Sequence, residues 1–328
     1  EEDLLRSSLP VVASSWVDYH RREQRPVWRQ RRDWLDAPAW DLSEDERCLG
    51  GCSKPRLVSE PVGKRSTRSV FELSFQVPQI TKLQGGDAVA LRDDKAFTSS
   101  RASIVDVDLS RGRVQVLCNE VPSSCSIIPD DYVNPAPLPA AIARNLRGLL
   151  ESSSRSPLRS FVGRERPTFV GVETEGDLLK PFDGSAVEAI RALAKGSVLA
   201  VQGPPGTGKT RLAAEALAAL MKDGKRVAVA APGHATIAHC LATALDKIDC
   251  DVLCVKVGSR RRASADDPET ALAQRSNVIT KPRWDAKLAK ELDTELPVLL
   301  GATAWALARD DAVGAFDYLF VDEAGQVP

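Results

Sequence analysis

Apolar and polar positions follow two different rhythms along this chain. From 56 to 134 they alternate with a period of two, as in Val70-Phe71-Glu72-Leu73-Ser74-Phe75, Ala88-Val89-Ala90-Leu91, Ser103-Ile104-Val105-Asp106-Val107 and Val114-Gln115-Val116-Leu117. Gly-Gly, Asp-Asp and Arg-Gly turns separate these runs, so the segment predicts a small antiparallel β-barrel. From Pro181 onward helical stripes take turns with short apolar runs. Helices are expected over 185–195, 210–222 and 235–246, and strands over 198–202, 226–231, 252–257, 298–301 and 318–321. That alternation predicts an α/β domain whose parallel sheet is covered by helices on both faces.

Upstream of the barrel, residues 1–48 read as polar helix with Trp16, Tyr19, Trp28 and Trp34 set among arginines. The stretch HRREQRPVWRQRRDW holds Arg21, Arg22, Arg25, Arg29, Arg31 and Arg32. Basic residues interleaved with aromatics suit nucleic acid, and they equally suit a solvated helix face with tryptophans packed beneath it. CLGGCSKP, 48–55, reads as a turn-rich break. Pro135, Pro137 and Pro139 mark an exit linker, 140–150 a helix, and 151–180 a polar connector. The expected division is 1–55 helical stalk, 56–134 barrel, 135–180 stalk helix and connector, and 181–328 the α/β domain.

Composition narrows the classes. A formal net charge of −1 excludes a globally basic nucleic-acid binder and leaves room for a local basic groove. The seven cysteines show no zinc-finger spacing; Cys250 and Cys254 stand four apart with no second pair or histidine to follow. Reduced, buried thiols in a cytoplasmic protein are expected. No apolar run reaches the roughly 18 residues of a spanning helix. The opening EEDLLRSSLP is acidic and is not a signal peptide. The chain stops at LFVDEAGQVP, just past a strand pattern and its carboxylates, and is expected to be the middle of a longer polypeptide.

The chemistry concentrates in two places. Gly203-Pro204-Pro205-Gly206-Thr207-Gly208-Lys209-Thr210 matches the P-loop pattern, with an apolar run before it and a helical pattern after it. Glycines let backbone N–H groups turn inward around phosphates, and the helix N-terminus adds its positive dipole. Lys209 is the candidate for the β- and γ-phosphates, and Thr210 the candidate magnesium ligand. Asp322 and Glu323 follow the run Tyr318-Leu319-Phe320-Val321, so a strand end delivers them to the edge of the sheet. Asp322 is the second candidate for Mg2+ and Glu323 the candidate base for the attacking water. The set predicts ATP and Mg2+ as cofactors.

GPPGTGKT followed by DEAGQ resembles the superfamily 1 helicases of the Upf1-like, DEAxQ branch. Asp322 follows Lys209 by 113 positions, farther than in AAA+ ATPases, and Gln326 stands where the branch senses the γ-phosphate. The resemblance implies a RecA-like P-loop NTPase domain and an ATP-driven motor on single-stranded nucleic acid, DNA foremost. It implies strand contacts at Pro232, Gly233, His234 and Ala235 in AAPGHATIAHCL and a phosphate contact at Thr303 in LLGATAWAL. The barrel matches the insertion such helicases carry before the P-loop, and HRRExRPxW followed by CLGG resembles a bacterial group with an upstream RecB-like nuclease. A second RecA-like domain, with the arginines that stabilise charge on the γ-phosphate, is the implied partner. The sequence departs from the branch at Ala186, where a glutamine reads adenine, so purine selectivity is expected to be loose. Two other readings stay open on the residues: a nucleotide-binding remnant without motor activity, and a P-loop ATPase of another class acting on protein.

Overall fold

The computed structural model describes residues 15–16, 19–60, 67–130, 136–151, 155–173, 176–258 and 267–326. The helix expected over 1–14 and the start of the linker at Pro135 lie outside them. The chain divides into two compact units, 18–134 and 1–17 with 135–328.

In the first unit, helices α1 (Tyr19–Asp36) and α2 (Ala39–Glu44) precede six strands: β1 (Leu49–Ser59), β2 (Ser69–Ser74), β3 (Ala88–Asp93), β4 (Ser99–Asp108), β5 (Arg113–Cys118) and β6 (Ser124–Pro129). They close into an antiparallel barrel in the order β1-β2-β5-β4-β3-β6. Alternate positions fill it, with Val89 and Leu91, Ala102 and Ile104, Val114 and Val116, and Cys125 and Ile127 all pointing inward. On the outside of β3 and β6, Ala90 and Ile128 are covered by Trp34, Leu42 and Cys48. Trp34 Nε1 donates to Asp45 Oδ2 at 2.9 Å, satisfying the one polar group its burial would strand.

Two strands depart from expectation. CLGGCSKP is not a break; β1 runs through it, with register shifts on both sides of Cys52 and with Gly51 and Lys54 at positive φ (62° and 56°). Bulges absorb the residues that read as turns. Gly50 is required there, because a Cβ would sit 2.1 Å from the Ala39 carbonyl oxygen of α2. The second is β6, whose SCSIIP pattern alternates too briefly to register as a strand.

The second unit carries α3 (Leu138–Glu151), α4 (Pro157–Val162), α5 (Ala186–Arg191), α6 (Lys209–Lys222), β7 (Arg226–Ala230), α7 (His234–Leu245), β8 (Leu253–Val257), α8 (Pro268–Ala273), β9 (Val278–Lys281), α9 (Ala286–Glu291), β10 (Val298–Ala302), α10 (Ala304–Leu307) and β11 (Tyr318–Val321). Its sheet is parallel, in the order β11-β7-β10-β8-β9. One face, with Val227, Val229, Cys254 and Leu299, packs under α6, α7 and α8. The other, with Val255, Val257, Val298 and Leu300, packs against Trp284 and α9. Gly301 lets α7 approach, since a Cβ there would meet Ile237 and Leu241 at 2.6 Å. Lys256, a charge inside the apolar pattern of β8, is 2% exposed; its Nζ donates to the Gly258 carbonyl (2.6 Å) and pairs with Glu269 of α8 (3.0 Å).

The strand expected over 198–202 does not form. The run is apolar enough, and Leu199 packs against the core, but it pairs with no strand of the described sheet and Val201 is 49% exposed. The helix expected over 185–195 stops at Arg191, and β9 was unforeseen because VITK is short and half exposed.

Of the seven cysteines only Cys250 is not buried. Burial pushes the thiols of Cys48, Cys125, Cys240 and Cys254 up to about 12 and that of Cys118 to about 11. Because the thiolate is the reactive form, a thiol reagent at pH 8 is expected to titrate one group per native chain and seven after unfolding. A native stoichiometry of three or more would contradict this packing.

Candidate functional site

The site begins where the helix-covered sheet ends. Ala230, the last residue of β7, is in register with Val321 of β11 on one side and Ala302 of β10 on the other. The residues that follow therefore leave the sheet along one edge: Ala231-Pro232-Gly233 from β7, Thr303 from β10 and Asp322-Glu323 from β11. Asp322 extends the ladder by one bond, its N–H donating to the Ala230 carbonyl at 2.8 Å. Its charge is felt within α7: the buried Cys240 thiol is raised first by burial and then by the Asp322 charge.

The two carboxylates are held in different ways. Asp322 Oδ1 accepts the N–H of Glu323 at 2.9 Å. Glu323 itself sits at φ 53°, the left-handed region that a β-carbon disfavours. Gln326 closes the turn: its N–H donates to the Glu323 carbonyl (2.9 Å) and its Nε2 to Glu323 Oε2 (3.1 Å). The glutamine expected to face a phosphate thus grips the side chain expected to act as base.

The glycine loop enters α6 as its pattern requires. Gly206 and Gly208 have φ of 81° and 87°, and the space beside each is open. A Cβ at Gly203 would meet Thr207 Oγ1 at 2.5 Å and displace a hydroxyl that donates to the Pro204 carbonyl at 2.8 Å. Lys209 turns back over the loop and donates to the carbonyls of Gly203 (2.7 Å) and Pro204 (3.1 Å). Pro204, Pro205, Gly206, Thr207 and Gly208 are exposed, and Lys209 and Thr210 half-buried. Since 198–202 forms no strand, the loop is tied to the sheet through α6, whose Ala214, Leu217 and Leu220 pack in one core with Val227 and Val229 of β7.

Of the remaining candidates, Pro232 and Gly233 are exposed at the start of α7, and Gly233 is its N-cap. His234 does not cap the helix; its ring lies against Gly258 at the end of β8, where a Cβ would come within 2.7 Å of Cε1. Thr303 is the N-cap of α10, half-buried, with its carbonyl accepting from Ala306 N–H at 3.0 Å. Ala186, on the first turn of α5, presents no amide; Ser185 caps that helix by accepting from Glu188 N–H at 3.3 Å. Sequence reasoning passed over the buried Lys256–Glu269 pair beside Gly258, although a lysine inside LCVKV is a signal that a partner must exist.

A parallel sheet, with a glycine loop running into the helix that covers it and carboxylates leaving a strand end, is the arrangement of a P-loop nucleotide-binding domain. Residues 181–300 match the family model of an AAA domain, a domain found in Upf1-like superfamily 1 helicases. No curated protein matches the chain. Among the described residues no helix is long and apolar enough to cross a membrane.

Proposed function

We propose that residues 181–328 are the first RecA-like domain of an ATP-driven motor on single-stranded nucleic acid, DNA in particular, and that Mg2+-ATP hydrolysis drives its movement. The observation that carries the reading is the loop itself: open, positive-φ glycines at 206 and 208 with a lysine ammonium folded over their mouth, immediately before a helix N-terminus. These residues fit a polyphosphate. Lys209 has only backbone carbonyls to give up, and Thr210 opens the helix beside it. Thr210 and Asp322 would hold Mg2+, whose double charge offsets that of the phosphate oxygens when bound. Glu323 takes the proton of the attacking water, and Gln326 fixes the direction of its carboxylate. Pro232, Gly233, His234 and Thr303 share the sheet edge with Asp322, which is what a strand contact coupled to the nucleotide needs. A second RecA-like domain and an upstream nuclease are the partners this reading implies.

Titration with a fluorescent ATP analogue tests the proposal. Binding should saturate, weaken on chelation of magnesium, and weaken similarly in Thr210→Ala. GTP should compete within about tenfold, or about 1.4 kcal/mol, because Ala186 offers no amide to read the purine edge. A folded chain that binds neither nucleotide would end the reading.

A further inference from the structure

Helix α1 has two unlike faces. Toward the barrel it buries Trp34 and packs Leu35. Away from it, Arg21, Arg25 and Arg29 recur at every fourth position, one above the other on a single stripe, with Trp28 beside them. At 1.5 Å per residue their Cα positions are about 6 Å apart along the axis. All three arginines are exposed, and among the described residues none makes an ion pair or a hydrogen bond. The neighbours differ: Arg31 is engaged with Asp130, and Arg32 lies 3.6 Å from Asp36. Trp28 is 52% exposed, and Trp40 of α2 is 65% exposed. In a chain of net charge −1, six arginines stand against three acidic residues within these 18 positions.

We infer that the outer face of α1 is a contact surface for single-stranded nucleic acid, separate from the ATP site, in which Arg21, Arg25 and Arg29 meet successive phosphates and Trp28 stacks on a base. Unpaired guanidinium groups at regular spacing match an anion with a regular charge repeat, and an exposed indole among them suits unpaired bases, whose faces a duplex hides. An anionic membrane would need a broad apolar face to insert, and the outer face of α1 offers only Val27 and Trp28 among its charged residues, while Trp34 and Leu35 pack on the barrel. The inference rests on the nucleic-acid half of the proposed function and on nothing at the P-loop.

The experiment is fluorescence anisotropy of a labelled oligothymidylate with residues 1–328, without nucleotide, across a salt series. Three phosphate contacts should contribute about 2 to the slope of log K against log salt. The triple variant Arg21→Gln, Arg25→Gln, Arg29→Gln should lose that part of the slope and bind at least tenfold more weakly at low salt. Trp28→Leu should weaken binding about 5- to 150-fold and abolish quenching of the protein's tryptophan emission by the oligomer. Lys209→Ala, which disables only the nucleotide site, should bind the oligomer as the parent does. Melting curves check that each variant folds. If the folded triple variant keeps the parent's affinity and slope, the surface assignment is wrong whatever the ATP result. Binding to phosphatidylserine vesicles without binding to the oligomer would also overturn it.

Discussion

Lys209→Ala is expected to lose ATP affinity by at least about a hundredfold while leaving the melting temperature nearly unchanged. The two halves of that expectation come from different partners of one ammonium. In the structure Nζ is half-exposed and bonded to two carbonyls of its own loop, at Gly203 and Pro204. These bonds join a charged donor to neutral carbonyls near solvent, where water replaces the donor when the side chain is cut back, so little folding stability rests on them. Toward a polyphosphate the same ammonium makes charge-assisted bonds worth about 1.5–3 kcal/mol each. Two of them lost is about 3 kcal/mol or more, which is the hundredfold. Equilibrium titration of the fluorescent analogue, with a melting curve of the same sample, measures both. Unchanged affinity in a folded variant would mean that the loop binds no phosphate at this lysine.

How far the sequence carried the argument depends on whether a feature is local. The loop was fully legible, because glycines at positive φ, a lysine and a helix start are properties of eight consecutive residues. The alternation of β2 through β5 was legible for the same reason, each strand burying its own odd or even positions. The run 198–202 shows the limit: its apolarity is written in the chain, but a strand also needs a neighbour, and no neighbour is specified by its own residues. β1 shows the converse: Gly50, Gly51 and Lys54 read as a break, but they sit in bulges between residues that the barrel pairs with β2 and β6. At the carboxylates the identity of Glu323 was readable and its conformation was not. A glutamate at φ 53° costs about 1–3 kcal/mol, and the bonds that hold it are the ladder bond of Asp322, the Glu323 N–H to Asp322 Oδ1 and the grip of Gln326. The Gln326 contact was missed because the residue had been given to a phosphate. Its amide serves the carboxylate in this structure, which ties the direction of the base to a residue three positions on.

Residues 1–328 are expected to bind ATP and yet turn it over about 10³–10⁵-fold more slowly than a complete P-loop motor, with no stimulation by single-stranded DNA. On the proposed reading the site supplies a phosphate cradle, metal ligands and a base. On the same reading, the arginine that meets charge developing on the γ-phosphate comes from a second RecA-like domain. The arginines closest to the loop in sequence are committed elsewhere. Arg191 pairs with Glu188 (3.0 Å) and Asp223 (2.7 Å), which together raise its pKa further, and Arg211 pairs with Glu215 at 2.9 Å. A stabilising arginine is worth about 10³–10⁵ in rate for P-loop enzymes, or about 4–7 kcal/mol of barrier. A single strand does not supply that charge, so DNA bound along α1 or at the sheet edge leaves the rate where it was. Steady-state phosphate release with and without oligothymidylate measures the effect, against Glu323→Gln as the background. The residual rate should fall further in that variant, because the water then lacks its base. Robust turnover that DNA accelerates and Glu323→Gln abolishes would show that residues 1–328, or a second copy of them, already place an arginine on the γ-phosphate. The assignment of that charge to a second RecA-like domain would then be wrong.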